Sequence, residues 1–168
     1  PVDIDARQHI QTDGLHERLC DLGDISPERD KTIHTALRAA ASQISRNGAC
    51  AVILGGSDQL SETVKSALPK CQTVQLGGMP RDARDFHIAP LPNGSARICK
   101  SNTAAQLTRF SQWRDASKPL FVRFDLSVFE TSLSALCDRP RLGGCNLDTV
   151  TQWLSTLGQH RVSAIMLT

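Results

Sequence analysis

Apolar positions along the chain follow two alternating patterns, one typical of helices and one typical of buried strands. Apolar residues spaced three or four apart predict helices, and short continuous apolar runs predict strands that are buried on both faces of a sheet. Helices are predicted at 27–46, 60–68, 102–117 and 147–157, and strands at 49–54, 71–76 and 161–167, with a further strand beginning at 120. The order is that of an α/β protein.

Repeated strand–helix–strand units with short links predict a mostly parallel sheet covered by helices on both faces. Residues 86–99 interrupt this order, because two short apolar stretches flank a Pro-Asn-Gly turn, which is typical of a β-hairpin. We therefore expect a small hairpin excursion outside the parallel sheet. The length of 168 residues predicts a single domain, 1–168.

Composition and charge narrow the classes of partner. The net charge of +2 is made of interspersed acidic and basic residues, so no nucleic-acid partner is expected. No apolar run is long enough to cross a bilayer, so membrane insertion is not expected either. Six cysteines lie far apart, which favours free thiols in a reducing, intracellular compartment, with Cys50 and Cys71 buried as small apolar residues.

Functional groups in such sheets lie beyond the carboxyl ends of the strands. Three of these ends can be located in the sequence, at Gly55 to Gln59, Gly77 to Asp82 and Asp125 to Glu130. These strand ends, together with the longer segments that contain or follow them, occur in an order that resembles the ureohydrolase family, which includes arginase, agmatinase and formiminoglutamase. The segments that carry the resemblance are AVILGGSDQLSETVKSAL, FVRFDLSVFE and RPRLGGCNLDTVTQWLSTL. The resemblance implies an arginase-like fold in a truncated form. It also implies a site that, in the family, holds two manganese ions.

The family's metal ligands are mostly replaced in this sequence. The resemblance places six ligand positions at Asp58, Gly77, Met79, Arg81, Asp125 and Ser127. In the family, the first of these is a histidine, the next three are Asp, His and Asp, and the last two are aspartates. Paired divalent cations need several carboxylates and imidazoles, and an arginine would repel them. The sequence therefore predicts no metal, no other cofactor and no catalytic residue.

Two residual sites remain open as alternatives. Asp58 and Asp125, with Asp82 or Glu130, would form a single-metal site; otherwise Asp58 caps a helix and Asp125 is hydrogen-bonded to nearby backbone. The turn at Gly55-Gly56 would bind a phosphate or nucleotide at a helix N-terminus, although it lacks the lysine and the spacing of a P-loop.

These observations predict a non-catalytic ureohydrolase-like protein that acts as a structural or regulatory subunit of a larger assembly. Its partners would be other protein subunits, because a trimmed sheet exposes edges and apolar faces that another chain must cover. The mitochondrion is the compartment that a processed amino terminus and free thiols suggest. The alternative is a divergent metal-dependent amidine or guanidine hydrolase that uses Asp58 and Asp125, and a weaker alternative is a phosphate or nucleotide binder.

Overall fold

The computed structural model describes residues 20–25, 30–78, 82–88, 96–129 and 145–168, with the backbone alone at 30–32, 58 and 96–104. Five strands and four α-helices follow one another in these described residues. The helices are α1 (Asp30–Arg46), α2 (Asp58–Ala67), α3 (Ala96–Trp113) and α4 (Leu147–Gly158). The strands are β1 (Ala51–Leu54), β2 (Gln72–Leu76), β3 (Phe86–Ile88), β4 (Leu120–Phe124) and β5 (Val162–Leu167).

The strands form one sheet in the order β1-β5-β4-β2-β3, and every pairing is parallel. Strands β2 and β4 pair in register up to Leu76 and Phe124, the last residue of each. All carboxyl ends of the strands therefore lie along the same edge of the sheet, which we call the carboxyl edge. The opposite edge is called the amino edge.

Helices cover both faces of the sheet, as predicted. One core joins α1 and α2 to the sheet through Leu37, Val64 and Phe121. The other joins α3 and α4 to the opposite face around Phe110 and Trp153, both about 1% exposed. No helix in the described part of the chain combines the length and the apolar character that a membrane crossing needs.

Local signals explain where several elements begin and end. Helix α1 stops at Arg46 because Gly48 then adopts a positive φ of 76°, which glycine tolerates and other residues rarely do. Helix α4 starts where predicted, since the Asn146 side chain accepts a hydrogen bond from the Thr149 N–H at 3.0 Å. The Ser26-Pro27 start predicted for α1 lies outside the described residues.

The predicted hairpin at 86–99 is wrong where the structure describes it. Residues Phe86–Ile88 form a parallel strand beside β2, and residues from Ala96 onward belong to α3. Phe86 and Ile88 are buried on the α3 and α4 face, so packing against the sheet decides the conformation rather than the turn signal. Helix α3 also begins before Ser101, which was predicted to cap it.

The prediction that the strand at 49–54 is buried on both faces also fails, because the apolar pattern does not show that a strand lies at the margin of the sheet. Strand β1 lies at the edge, and its Val52 and Leu54 are 56% and 77% exposed. On α4 the buried stripe is Val150, Trp153 and Leu157, while Leu154 is exposed.

The described cysteines Cys20, Cys50, Cys71 and Cys145 are free thiols, as predicted for them. Cys50 is exposed and Cys71 is half-buried, so the prediction that both are buried is wrong. Cys50 directly precedes strand β1, which among the described residues has a neighbouring strand on one side only.

Candidate functional site

Three of the six ligand positions meet at the carboxyl edge between β2 and β4. Gly77 directly follows β2, and Asp125 and Ser127 follow β4. The Asp125 N–H donates to the Leu76 carbonyl oxygen at 2.8 Å, which continues the pairing of the two strands beyond their ends. The sheet therefore brings these three positions into one cluster.

Gly77 leaves no room for a side chain. Its φ is 75°, and a Cβ atom built on it would lie 2.8 Å from the Asp125 carbonyl oxygen and 2.9 Å from both the backbone nitrogen and Cβ of Val128. Since the nearest atom belongs to the backbone of the neighbouring turn, a side chain fits here only if that turn moves. An aspartate at this position is incompatible with the observed packing.

The Asp125 carboxylate is engaged in local structure. Its Oδ1 accepts a hydrogen bond from the Ser127 N–H at 2.8 Å and caps the short 3-10 turn at Leu126–Val128. Its Oδ2 faces Gly78, where a Cβ atom would lie only 2.6 Å away. The interpretation of Asp125 as a residue hydrogen-bonded to nearby backbone is confirmed.

Three polar side chains hold the Gly77-Gly78 turn in place. The Ser127 hydroxyl accepts from the Gly78 N–H at 3.3 Å, and the Gln75 amide donates to the Gly77 carbonyl oxygen at 3.1 Å. His87 Nε2 lies 3.0 Å from the same carbonyl oxygen and donates to it. The roles of Gln75 and His87 were not predicted from the sequence, although a glutamine in a strand that is expected to be buried is a usable signal of a hydrogen-bonding role.

The three ligand positions that meet at this edge do not fit a pair of divalent cations. Gly77, Asp125 and Ser127 together supply one carboxylate and one hydroxyl, whereas such a pair needs several anionic oxygens and imidazole nitrogens. Within the described residues, no three His, Cys, Asp or Glu side chains are grouped as a metal site requires. Met79, Arg81 and Glu130 lie outside the described residues, so the predictions for them stay predictions.

Asp58 lies at a different strand end from Asp125. It is the first residue of α2 and directly follows Ser57, whose side chain makes no capping hydrogen bond. Strand β5 separates β1 from β4, so the two strand ends are about 10 Å apart at the usual spacing of parallel strands. The side chain of Asp58 is outside the description, and its part in a residual metal site is untested.

In the Gly55-Gly56 turn before α2, the first glycine is open and the second lies close to the Met166 side chain. A Cβ atom on Gly55 would meet nothing within 4 Å, and the Gly55 N–H donates to the Leu167 carbonyl oxygen at 2.9 Å. One amide that a phosphate would use is therefore already occupied by the sheet. The phosphate interpretation gains no further observation from the structure.

Asp82, the third carboxylate considered for a metal site, belongs to an ion cluster. Lys65 Nζ lies 3.0 Å from Asp82 Oδ2 and 2.8 Å from Asp85 Oδ1, and Arg84 Nη2 lies 2.9 Å from Asp82 Oδ2. Hydrogen bonds from Arg84, and then from Lys65, hold the pKa of Asp82 well below its usual range. Its charge is thus balanced by protein cations that tie the chain after the Gly77-Gly78 turn to α2.

The fold is that of solved ureohydrolases. A hypothetical agmatinase from Burkholderia thailandensis matches with a TM-score of 0.67 at 13% identity, covering 86% of this chain and 59% of that chain. An oxidised formiminoglutamase of Trypanosoma cruzi with Mn²⁺ gives 0.69 at 15% identity, covering 88% and 65%. Proclavaminate amidino hydrolase from Streptomyces clavuligerus gives 0.63 at 11% identity, covering 86% and 64%.

The chain therefore has an arginase-like, ureohydrolase-type fold in a shortened form. It spans 59% to 65% of the length of these three structures. No protein-family model matches the sequence, and no curated protein matches it either. Structural matches of this quality establish the fold, and at such low identity the chemistry must be argued from the residues of the site.

Proposed function

We propose that this chain is a non-catalytic ureohydrolase-like protein that serves as a structural or regulatory subunit of a larger protein assembly. The observation that carries the proposal is the packed Gly77-Gly78 turn. Where the resemblance places an aspartate ligand, Gly77 has neither a side chain nor space for one. The loss thus involves the backbone of the site, and a substitution of one side chain does not reverse it.

Hydrolysis of a guanidinium group also depends on a metal-bound water, because the metal lowers the pKa of that water and creates the nucleophile. Near the turn, Asp125 is the ligand position that keeps a carboxylate, and one of its oxygens already accepts the Ser127 N–H. A site of this composition favours a retained fold with a different role.

An exposed apolar strip supports a role in an assembly. Val52 and Leu54 project from one face of the edge strand β1, in register with Ile165 and Leu167 of β5. They are 56% and 77% exposed. On the helix layer of that face, Leu147 and Leu154 are 57% and 41% exposed. Exposed apolar side chains on a strand at the edge of the described sheet are typical of protein contact surfaces.

The test is a purification from the native source under gentle conditions, with metal analysis and an assay for urea release from guanidino compounds. We expect a stoichiometric complex without bound manganese or zinc and without urea release. A monomer with stoichiometric metal and measurable urea release would establish the divergent hydrolase instead.

A matched pair of variants links the complex to the strip. We expect Val52→Ser with Leu54→Ser to release the chain from its complex. The control is Leu22→Ser with Ile25→Ser, which removes two other exposed apolar side chains, and it should leave the complex intact. Equal loss in both variants would contradict the assignment of the strip as the contact surface.

The proposed mitochondrial location rests on the sequence alone. Imaging of the tagged full-length protein in its native cells tests it, and a purely cytosolic signal would contradict it.

A further inference from the structure

A basic groove crosses the amino edge of the sheet, opposite the Gly77-Gly78 turn. Its volume is about 880 Å³, and its lining includes Arg46, Lys70, Lys118 and Arg161 but no Asp or Glu. These four cations come from the end of α1, the link from α2 to β2, and the residues preceding β4 and β5. Since the whole chain carries a net charge of only +2, this concentration of one sign is local.

Three of the four cations have no acidic partner among the described residues. Lys118 pairs with Asp115 at 3.2 Å, and Asp115 is held ionised because hydrogen bonds from Ser117 and Lys118 lower its pKa to about 2. Arg46 donates to the Ser42 hydroxyl at 2.8 Å, which leaves its charge unbalanced. No ion pair is formed by Arg46, Lys70 or Arg161 within the described ranges, and all three are exposed.

The floor of the groove differs in character from its rim. Pro69 and Pro119 line it with apolar surface, and Ser163 and Cys71 add small polar groups. A phosphate site requires several donors that converge on one point, whereas these cations come from four separate segments along an open groove. Apolar surface between separated cations fits an extended peptide that carries both carboxylates and carbon-rich side chains.

We propose that this groove binds an acidic peptide segment of a protein partner. The inference deepens the proposed role as a subunit and rests on it, because it supplies the chemistry of one partner contact. It is independent of the carboxyl edge, since none of the groove residues belongs to the ligand positions. Carboxylates of the partner would lie beside Lys70, Arg161 and Arg46, and its apolar side chains would lie on Pro69 and Pro119.

The experiment uses a labelled peptide in which Glu and Ala alternate. Its binding to the purified full chain is measured by fluorescence anisotropy. We expect saturable binding that weakens steadily as salt is added, because exposed charges are screened. The matched peptide with Gln in place of Glu should bind at least about tenfold more weakly. Equal binding of the two peptides would overturn the proposal.

Variants then assign the binding to the groove. Lys70→Gln with Arg161→Gln should weaken binding of the Glu peptide by roughly five- to tenfold. The control, Arg38→Gln with Arg109→Gln, removes the same charge from exposed positions on α1 and α3 and should leave binding unchanged. Equal weakening in both variants would mean attraction to net charge alone, and it would overturn the assignment.

Two competitors separate the peptide from other polyanions. If tripolyphosphate or a single-stranded oligonucleotide binds the groove more tightly than the Glu peptide at the same ionic strength, the ligand is a phosphate compound and the proposal is wrong. Failure here leaves the subunit proposal intact if the native complex and the effect of Val52→Ser with Leu54→Ser persist. Conversely, metal-dependent urea release would contradict the non-catalytic role while peptide binding remains measurable.

Discussion

Two segments of identical sequence, Leu54-Gly55-Gly56 and Leu76-Gly77-Gly78, follow strands of the same sheet and have different surroundings. Leu54 is 77% exposed at the end of the edge strand β1, whereas Leu76 is 1% exposed at the end of β2, which has a neighbour on each side. A Cβ atom on Gly55 would meet nothing within 4 Å, while one on Gly77 would meet backbone at 2.8 Å. We call them the open segment and the packed segment.

The difference shows that the space around the residues after a strand depends on the position of that strand in the sheet and not on the local sequence motif. Both first glycines have nearly the same backbone conformation, with φ of 81° and 75°. Only the packed segment touches the turn after β4, because β2 and β4 are direct neighbours. The packed segment is consequently held against the backbone of a neighbouring turn, whereas the nearest atoms to a Cβ on Gly56 belong to the Met166 and Leu60 side chains, at 2.9 Å and 3.2 Å.

The largest effect is expected for Gly77→Asp, which introduces the residue that the family resemblance places there. We expect it to lower the free energy of unfolding by about 4 kcal/mol, from a positive φ, a backbone clash and a buried charge. Gly55→Asp also places a side chain on a residue with a positive φ but causes no backbone clash, so it should lower the free energy of unfolding by roughly 1–2 kcal/mol. Urea denaturation followed by circular dichroism measures both variants.

Two further variants keep that prediction testable. Gly77→Asn has the shape of aspartate without its charge, so a similar loss would assign most of the effect to the clash. Gly77→Ala provides a milder change if the aspartate variant does not fold. Stoichiometric binding of manganese by a stably folded Gly77→Asp variant, measured by elemental analysis, would contradict the packing argument and revive the hydrolase alternative.

The second prediction compares the two leucines directly. Leu76→Ala should cost about 3 kcal/mol, because a fully buried leucine is removed from the core around Phe124 and Ile88. Leu54→Ala should change the free energy of unfolding by no more than about 0.5 kcal/mol, since its side chain is already exposed. Equal losses in the purified chain would show that Leu54 is covered in solution.

The third prediction concerns Gly78, which meets side chains where Gly77 meets backbone. A Cβ atom on Gly78 would lie 2.6 Å from Asp125 Oδ2, and a carboxylate can rotate away. Gly78→Ala should therefore cost about 2 kcal/mol, of which about 1 kcal/mol should disappear when Asp125→Ala is added. A double-mutant cycle from denaturation curves measures this coupling, and additive losses would mean that the carboxylate is not the obstacle.

Much of the architecture could be predicted from the sequence because its signals are local. Asn146 caps α4 through its own side chain, and the buried apolar run that begins at Leu120 becomes the inner strand β4. The hairpin was wrongly predicted because Phe86 and Ile88 take their conformation from packing against β2 and α3, which no local turn signal records. The exposure of Val52 has the same origin, since an edge strand and an inner strand can have the same apolar composition.

The candidate site was predictable only as a set of positions. The sequence placed Gly77, Asp125 and Ser127 at strand ends that belong together, because parallel strands direct their carboxyl ends to one edge. It could not reveal that the Gly77-Gly78 turn contacts the backbone of the Asp125 turn, or that Gln75 and His87 hold its carbonyl oxygen. Those contacts depend on sheet order and register, which arise from the tertiary structure.

The smallest effect on stability is expected from the residues that follow the two segments. The open segment runs directly into α2, whereas the packed segment is followed by Asp82, which is tied to Lys65 and Arg84. Because the pKa of Asp82 is lowered on folding, its stabilising contribution is present above the unfolded pKa of about 3.9 and is lost as the pH falls through the lower folded value.

Asp82→Asn should thus lower the melting temperature slightly at neutral pH and progressively less in strong acid. Asp24→Asn, at an exposed position before α1, serves as the control and should follow the unmodified chain throughout. An Asp82→Asn curve parallel to the unmodified chain at every pH would show that these ion pairs do not anchor the packed segment.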